Sequence, residues 1–163
     1  MELKVCKFGG SSLGAADRLE QIVRILTEDT TRRCVVVSAP GKGEDAPVKV
    51  TDLLLATAAK RLRDEAVDDE VLAIRKRYHD VYNPLGVDVD TLEGILSDLD
   101  ARVAADRSDP ARYRDLLASA GEALNARAFS AFLAARGVGA QAIEPGEAGL
   151  LVSSEFGNAH PLD

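Results

Sequence analysis

The sequence predicts an α/β domain with a mainly parallel sheet and a long helical region inserted into it. The first 38 residues show the pattern of strand, helix and strand, and residues 51–136 carry apolar side chains at helical spacing. The 163 residues suit one domain, since domains usually have roughly 100–200 residues. With 46% hydrophobic and 29% charged residues, the chain has the composition of a globular protein that buries a core.

The amino-terminal part is predicted to form a β-α-β unit. Residues 3–8 alternate like a strand, and the glycines and serines that follow end it. Residues 15–27 repeat apolar side chains at helical spacing. Residues 34–38 are a short apolar run, typical of a strand covered on both faces. Residues 39–50, rich in glycine, proline and charge, are too long for a simple connector and are predicted to be a mobile functional loop.

Helices are predicted over most of residues 51–136, and local signals mark where they begin and end. The hydroxyl of Thr51 is placed to cap a helix that runs to about residue 66, and Asn83-Pro84 ends a second one. A third helix covers residues 92–103. Asp109-Pro110 is a helix opening, and the apolar spacing then predicts one long helix that Gly137 stops.

The chain is predicted to return to the sheet after residue 137. Residues 138–143 and 150–152 look like two short strands around a turn at 144–147, and residues 153–161 have no clear periodicity. With only about four strands, the predicted sheet looks unfinished.

Charge and composition exclude several classes of function. The net charge of −7, a pI near 4.9, 4% aromatic residues and no Trp argue against a nucleic-acid partner. No apolar run is long enough to span a membrane, and the first residues lack the apolar stretch of a signal peptide, so a cytoplasmic location is expected. Cys6 and Cys34 lie in strand-like runs and are expected to be reduced and buried. His79 and His160 have no ligand-spaced neighbours, so no zinc site is predicted.

The first turn is a candidate phosphate-binding site. Gly9 and Gly10 allow the chain to approach a phosphate closely, free amides up to Ser11 face it, and Lys7 adds a positive charge. The pattern is neither a Walker A loop nor a dinucleotide fingerprint. A tight turn explains two adjacent glycines almost as well, but a lysine within the first strand is harder to explain without a partner.

Four stretches together resemble the aspartate kinases of the amino-acid kinase superfamily. They are residues 7–12 (KFGGSS), residues 37–42 (VSAPGK) followed by 50–54 (VTDLL), residues 119–122 (SAGE), and residues 154–159 (SEFGNA) with Pro161. Their order and spacing agree with the family over nearly the whole chain.

The resemblance implies a partial three-layer αβα sandwich of the carbamate-kinase-like type. It also implies phosphorylation of the side-chain carboxylate of L-aspartate by ATP, with Mg²⁺ carried on the nucleotide, at the start of lysine, threonine and methionine synthesis. Residues 1–163 would be the first part of the catalytic domain, without most of the nucleotide site or the regulatory ACT domains. Little activity is therefore expected from this chain alone.

The resemblance assigns roles to five side chains. Lys7 contacts the transferring phosphoryl group, Ser38 and Thr51 offer hydroxyls to the amino acid, Glu122 receives its ammonium group, and Phe156 walls the pocket. Four of them have a simpler explanation as well: Lys7 as a lysine reaching solvent, Thr51 as a helix cap, Glu122 as a solvated side chain, and Phe156 as an ordinary core phenylalanine. By helical geometry, Glu122 lies nearly opposite the apolar stripe of its helix.

Two other functions remain open at this stage. One is another amino-acid kinase, of the glutamate or uridylate type, although the helical region and the Gly-Glu pair at 121–122 are not expected there. The other is a non-catalytic binding or assembly module. An unfinished sheet leaves an open edge and an apolar face, so a homo-oligomer or association through exposed apolar surface is expected.

Overall fold

The computed structural model describes residues 2–43 and 46–162. Two parallel strands, β1 (Lys4–Phe8) and β2 (Arg32–Val37), are joined by a short 3-10 turn at Gly10–Leu13 and by helix α1 (Ala16–Thr27). The register places Lys7 opposite Val36 and Phe8 opposite Val37. The predicted β-α-β unit is therefore confirmed.

One face of this sheet packs on the core and the other is open. Cys6, Phe8, Val35 and Val37 pack against the buried cluster, which includes three residues of α1 at helical spacing, namely Leu19, Ile22 and Leu26. On the opposite face Val5 is 65% exposed, Val36 is 48% exposed, and Cys34 is exposed as well. The prediction that β2 is covered on both faces, with Cys34 buried, is wrong for this reason: no described element lies over that face.

Five helices form the rest of the core. They are α2 (Val50–Arg61), α3 (Asp68–Tyr82), α4 (Val89–Val103), α5 (Pro110–Ala118) and α6 (Ala120–Ala135). Asp88 and Asp109 cap α4 and α5 by accepting backbone N–H groups of the first turn. Gly137, with φ of +73°, adopts the left-handed conformation just beyond α6, as the predicted stop requires.

The long helix predicted after residue 110 is two helices, α5 and α6, which meet at Ser119. The carbonyl oxygen of Leu116 accepts from Arg102 Nη1 at 3.0 Å and from Ser119 Oγ at 3.2 Å. These side chains take the place of the backbone N–H that would continue the helix. An arginine of α4 therefore satisfies a carbonyl that the junction leaves without its helical N–H partner.

The two strands predicted near the end of the chain are absent from the described residues. Val152 forms only an isolated antiparallel bridge with Pro161, and Ile143, Leu150 and Leu151 are 52–63% exposed. A strand needs a neighbour that accepts and donates backbone hydrogen bonds. Within the described residues, 151–153 exchange backbone hydrogen bonds only with residues 160–162, and neither β1 nor β2 offers them an edge.

No helix in the described part of the chain is both long enough and apolar enough to span a bilayer.

Candidate functional site

Two glycine-containing loops meet at the carboxyl ends of β1 and β2. The amide of Gly41, in the second loop, donates to the carbonyl of Gly10 at 2.9 Å. A Cβ on Gly10 would lie 2.9 Å from the carbonyl oxygen of Ala39, and one on Gly41 would lie 2.6 Å from the carbonyl carbon of Gly10. Glycine is needed at both positions because the two backbones touch.

The first loop presents several hydrogen-bond donors without an intramolecular acceptor. Within the described residues, the amides of Gly9, Gly10 and Ser11 donate to no carbonyl or side chain. Lys7 is exposed, and its Nζ lies 3.5 Å from where a Cβ of Gly9 would be. The same part of the chain places no carboxylate within 4.0 Å of that nitrogen. An exposed ammonium beside three free amides suits an anion such as a phosphate.

Ser38 and Glu122 lie side by side although they are far apart in the sequence. Glu122 Oε1 accepts from the amide of Ala39 at 3.3 Å and lies 3.5 Å from Ser38 Oγ. Glu122 is exposed, while Leu124 of the same helix is buried. The prediction that Glu122 points away from the apolar stripe of α6 is therefore confirmed. A carboxylate and a hydroxyl that face solvent together can bind an ammonium and a carboxylate of a small molecule.

Gly121 allows α6 to approach the second loop closely. A Cβ on this residue would lie 2.7 Å from the Cβ of Ala39 and 3.2 Å from Leu54 Cδ1. Both neighbours are buried. The Gly-Glu pair thus combines a contact that needs glycine with a carboxylate aimed at the end of β2.

Thr51 lies in the first turn of α2, but it does not cap that helix. The N-cap is Lys49, and the amide of Val50 donates to the carbonyl of Pro40 at 3.4 Å. Among the described residues, no partner binds the Thr51 hydroxyl. The capping explanation for Thr51 is wrong, and its role toward the amino acid stays a prediction.

Phe156 lies in an irregular segment that is tied to α5. The side chain is 45% exposed, so the alternative of a core phenylalanine is wrong. The next residue, Gly157, donates its amide to Asp115 Oδ2 at 2.6 Å. Within the described residues, no hydrogen bond joins the segment around Phe156 to Ser38, Thr51 or Glu122, and the pocket-wall role stays a prediction.

A layer of buried polar residues lies behind the site, and it was not predicted from the sequence. Asn125, Tyr78 and Tyr82 are 0% exposed, and Arg77 is 6% exposed. Burial raises the pKa of both tyrosine hydroxyls, so they remain protonated donors. Arg77 donates to the carbonyl of Gly41 from beneath the second loop. An asparagine within an apolar stripe was the one available signal for this layer.

Two open cavities flank the start of α1. One of about 330 Å³ is lined by residues that include Phe8, Ser11 and Arg18. The other, of about 530 Å³, is lined by Ala15, Asp17, Arg18, Lys42 and Gly43. Over residues 2–43 and 46–162, no three His, Cys, Asp or Glu side chains cluster closely enough to hold a metal ion.

Comparison with known proteins places this architecture in one family. A model of the amino acid kinase family matches residues 2–162. Aspartokinase 3 of Bacillus subtilis (strain 168) is 39% identical over 160 residues, which cover 98% of this chain and 35% of that protein. Aspartokinase 1, chloroplastic, of Arabidopsis thaliana is 31% identical over 167 residues, which cover 98% of this chain and 28% of the relative.

Solved structures agree with the sequence comparison. The crystal structure of E. coli aspartokinase III in complex with aspartate and ADP superimposes with a TM-score of 0.76 at 27% identity, covering 98% of this chain and 35% of that chain. The predicted α/β class is confirmed by this likeness. This chain spans about a third of the length of the relatives it matches.

Proposed function

This chain belongs to the amino acid kinase family, and from that membership we propose that it forms part of an ATP-dependent aspartate kinase. The reaction is attack of the side-chain carboxylate of L-aspartate on the γ-phosphorus of ATP. The bond to the β–γ bridging oxygen breaks, ADP leaves, and 4-aspartyl phosphate forms. The observation that carries this proposal is the position of the free amides and Lys7 at the end of β1, next to the Ser38–Glu122 pair at the end of β2.

Lys7 and the amides of Gly9, Gly10 and Ser11 hold the transferring phosphoryl group in this proposal. Phosphoryl transfer spreads negative charge over the γ-phosphate oxygens, so catalysis is mainly positioning and charge neutralisation. Lys7, exposed and close to the glycine turn, supplies a positive charge next to the amides that would hold the phosphate.

The acceptor amino acid is bound at the other strand end. Glu122 pairs with the ammonium of aspartate, and the hydroxyls of Ser38 and Thr51 donate to its carboxylates. Phe156 closes one side of the pocket. The 3.5 Å distance between Ser38 Oγ and Glu122 Oε1 supports a site in which one small zwitterion contacts both groups.

Mg²⁺ enters with the nucleotide in this scheme. When bound, the ion would neutralise charge on the phosphate oxygens and would need few protein ligands. The free amides of the first loop would hold the phosphate oxygens of the nucleoside triphosphate and not the ion itself. The family relation supports ATP as the phosphoryl donor.

We assign the chain the glycine-loop and acceptor-binding part of the catalytic unit. Aspartokinases are about three times longer than this stretch, so other parts of such a protein complete the nucleotide site. Little turnover is therefore expected from residues 1–163 alone. A cytoplasmic location and a place in lysine, threonine and methionine synthesis belong to the same proposal. The exposed Val5 and Val36, with Leu150 and Leu151, favour self-association or pairing with further polypeptide, which light scattering measures.

Calorimetric titration of this chain with L-aspartate, L-glutamate and Mg-ATP in turn tests the proposal. We expect saturable binding of aspartate and much weaker binding of glutamate, whose longer side chain does not fit the same donors. Glu122→Gln is expected to remove aspartate binding because it removes the partner of the ammonium. Glu28→Gln, at an exposed position at the end of α1, is the control and is expected to bind normally. Equal binding of the two amino acids, or normal binding by Glu122→Gln, contradicts the proposal.

A further inference from the structure

We propose that Asn125 is a positioning residue, which fixes the peptide group between Ser38 and Ala39 and thereby sets the acceptor site. This inference rests on the proposed function for its effect on aspartate binding. The hydrogen bonds that carry it belong to the fold and are tested separately below.

The peptide unit that follows Ser38 is held on both of its polar sides by α6. Its carbonyl oxygen accepts from Asn125 Nδ2 at 2.6 Å, and its N–H, on Ala39, donates to Glu122 Oε1 at 3.3 Å. Asn125 and Glu122 are three residues apart on α6 and so project from neighbouring positions of one helix face. Because a peptide group is planar, these two contacts fix its rotation about the strand direction.

The orientation of the Ser38 side chain depends on this clamp. Ser38 is the residue directly after β2, and its own amide donates to the carbonyl of Phe8 at 3.2 Å. The sheet therefore holds one side of the residue and α6 holds the other. A rotation of the clamped peptide would break both contacts with α6 and release the Glu122 carboxylate that faces Ser38 Oγ.

The amide of Asn125 is itself fixed by α3. A backbone carbonyl only accepts, so the amide nitrogen of Asn125 faces Ser38 and its oxygen faces Tyr82, whose hydroxyl donates at 2.6 Å. Asn125 and Tyr82 are both 0% exposed, and no water competes for these groups. A buried polar chain thus runs from Tyr82 through Asn125 to the acceptor site.

Folding alone does not require an asparagine here. Leu124, Ala128 and Phe132 of α6 are buried and apolar, and an apolar residue at 125 would continue the core. A fully buried amide is costly unless each of its hydrogen-bonding atoms finds a partner. The chain meets that cost with two hydrogen bonds, one to the carbonyl of Ser38 at the end of β2 and one from the hydroxyl of Tyr82 on α3.

Two measurements on this chain test the inference. In Asn125→Leu, amide exchange of Ala39 followed by NMR is expected to accelerate by about tenfold or more, because the peptide loses its hold on the carbonyl side. Aspartate affinity measured by calorimetry is expected to fall by about tenfold or more for the same variant. Tyr82→Phe keeps the hydrogen bond from Asn125 to Ser38 but leaves Asn125 Oδ1 without its donor. Faster Ala39 exchange and weaker aspartate binding are therefore expected here too, but both effects are smaller.

Tyr113→Phe is the matched control. Tyr113 is 1% exposed and donates its hydroxyl to the carbonyl of Val103 at 2.9 Å, far along the helical region from Ser38. Its loss is expected to lower the melting temperature about as much as Tyr82→Phe, with no change in Ala39 exchange or in aspartate affinity.

The outcomes separate the two proposals. Unchanged Ala39 exchange in both Asn125→Leu and Tyr82→Phe overturns the clamp, whatever the affinity for aspartate. Absence of aspartate binding by the unmodified chain contradicts the proposed function, and the exchange measurement still decides on the clamp. If Asn125→Leu does not fold, Tyr82→Phe against Tyr113→Phe gives the same comparison.

Discussion

Lys7 carries a charge that the described fold does not use. It lies on the open face of β1, and in the described residues it forms no ion pair, whereas Lys4 on the same strand pairs with Asp29 at 2.8 Å. A lysine that only keeps a protein soluble can lie anywhere on its surface, so exposure alone does not indicate a function for Lys7. One that lies against a glycine turn with free amides is placed to bind an anion.

Lys7→Ala is expected to reduce turnover by about 10²–10³ in an active kinase that contains this chain, or about 2.7–4 kcal/mol of transition-state stabilisation. The side chain is exposed, so the melting temperature is expected to stay unchanged. Steady-state kinetics with aspartate and ATP measure the effect, and Lys4→Ala on the same strand is the control. A Lys7→Ala enzyme with normal turnover removes Lys7 from the mechanism.

Gly121→Ala is expected to destabilise the chain by about 1–3 kcal/mol, as overpacking of a core does. The new Cβ would meet the Cβ of Ala39 at 2.7 Å, and a shift of α6 away from the second loop would lengthen the Ala39–Glu122 hydrogen bond. Gly94→Ala is the matched control, since a Cβ there meets nothing within 4 Å on α4. It is expected to stabilise by about 0.5–1 kcal/mol. Urea denaturation compares the two, and equal stability of both variants would contradict the packing argument.

Helices and strands that depend on local patterns were predicted correctly, whereas features that depend on tertiary contacts were not. The β-α-β unit and the helices follow from periodicity, because each depends on residues within a few positions of each other. At the junction of α5 and α6 the carbonyl of Leu116 accepts from Arg102 of α4, and the late segments find no edge on the sheet of β1 and β2. Both features depend on residues from other parts of the chain, so the pattern within one segment does not predict them.

The candidate site shows the same division. Glycines 10 and 41 and the Gly-Glu pair are visible as motifs, and the resemblance brings Ser38 and Glu122 together before any geometry is known. Asn125 and Arg77 were missed. The position of Asn125 in an apolar stripe indicates burial, but a pattern within one helix does not identify the partner that a buried polar side chain meets.

Arg77 links α3 to the second glycine loop. Its guanidinium donates to the carbonyl of Gly41 and packs against the backbone of Gly43. Burial lowers the pKa of this group, and Asp80 partly opposes that shift. The side chain remains charged at neutral pH because arginine titrates far above it.

Arg77→Met is expected to loosen the second loop and to accelerate trypsin cleavage after Lys42, because the carbonyl of Gly41 loses its donor. Arg75→Met is the control on the same helix. Arg75 pairs with Glu93 and Asp100 at the surface, and each variant removes one trypsin site. Timed digestion followed by mass spectrometry measures cleavage after Lys42. Equal cleavage rates in the two variants show that α3 does not hold the loop.

The stability of the whole molecule depends on pH because several of its glutamates form ion pairs that lower their pKa values. The chain has 27 acidic and 20 basic residues, and several glutamates pair with cations between elements. A hydrogen bond from Arg136 lowers the pKa of Glu20, Lys60 lowers that of Glu70, and His79 with Arg75 lowers that of Glu93. These pairs join α1 to the end of α6, α2 to α3, and α3 to α4.

Acid is therefore expected to destabilise the fold. A carboxyl whose pKa is lower in the folded chain stabilises it fully above the unfolded value, about 4.3 for glutamate, and this contribution is lost as pH falls through the folded value. We expect a melting temperature that is flat from about pH 8 to about pH 5 and that falls steadily below about pH 4.5. Glutamine does not titrate, so the melting temperature of Glu93→Gln is expected to depend less on pH. Glu2→Gln, at an exposed position, is expected to keep the full pH dependence. Calorimetric melting across this pH range measures the profile. A melting temperature that is constant or rises toward pH 3.5 contradicts the role of these ion pairs. Protonation of the glutamates would then remove no interaction that stabilises the packing of the helices.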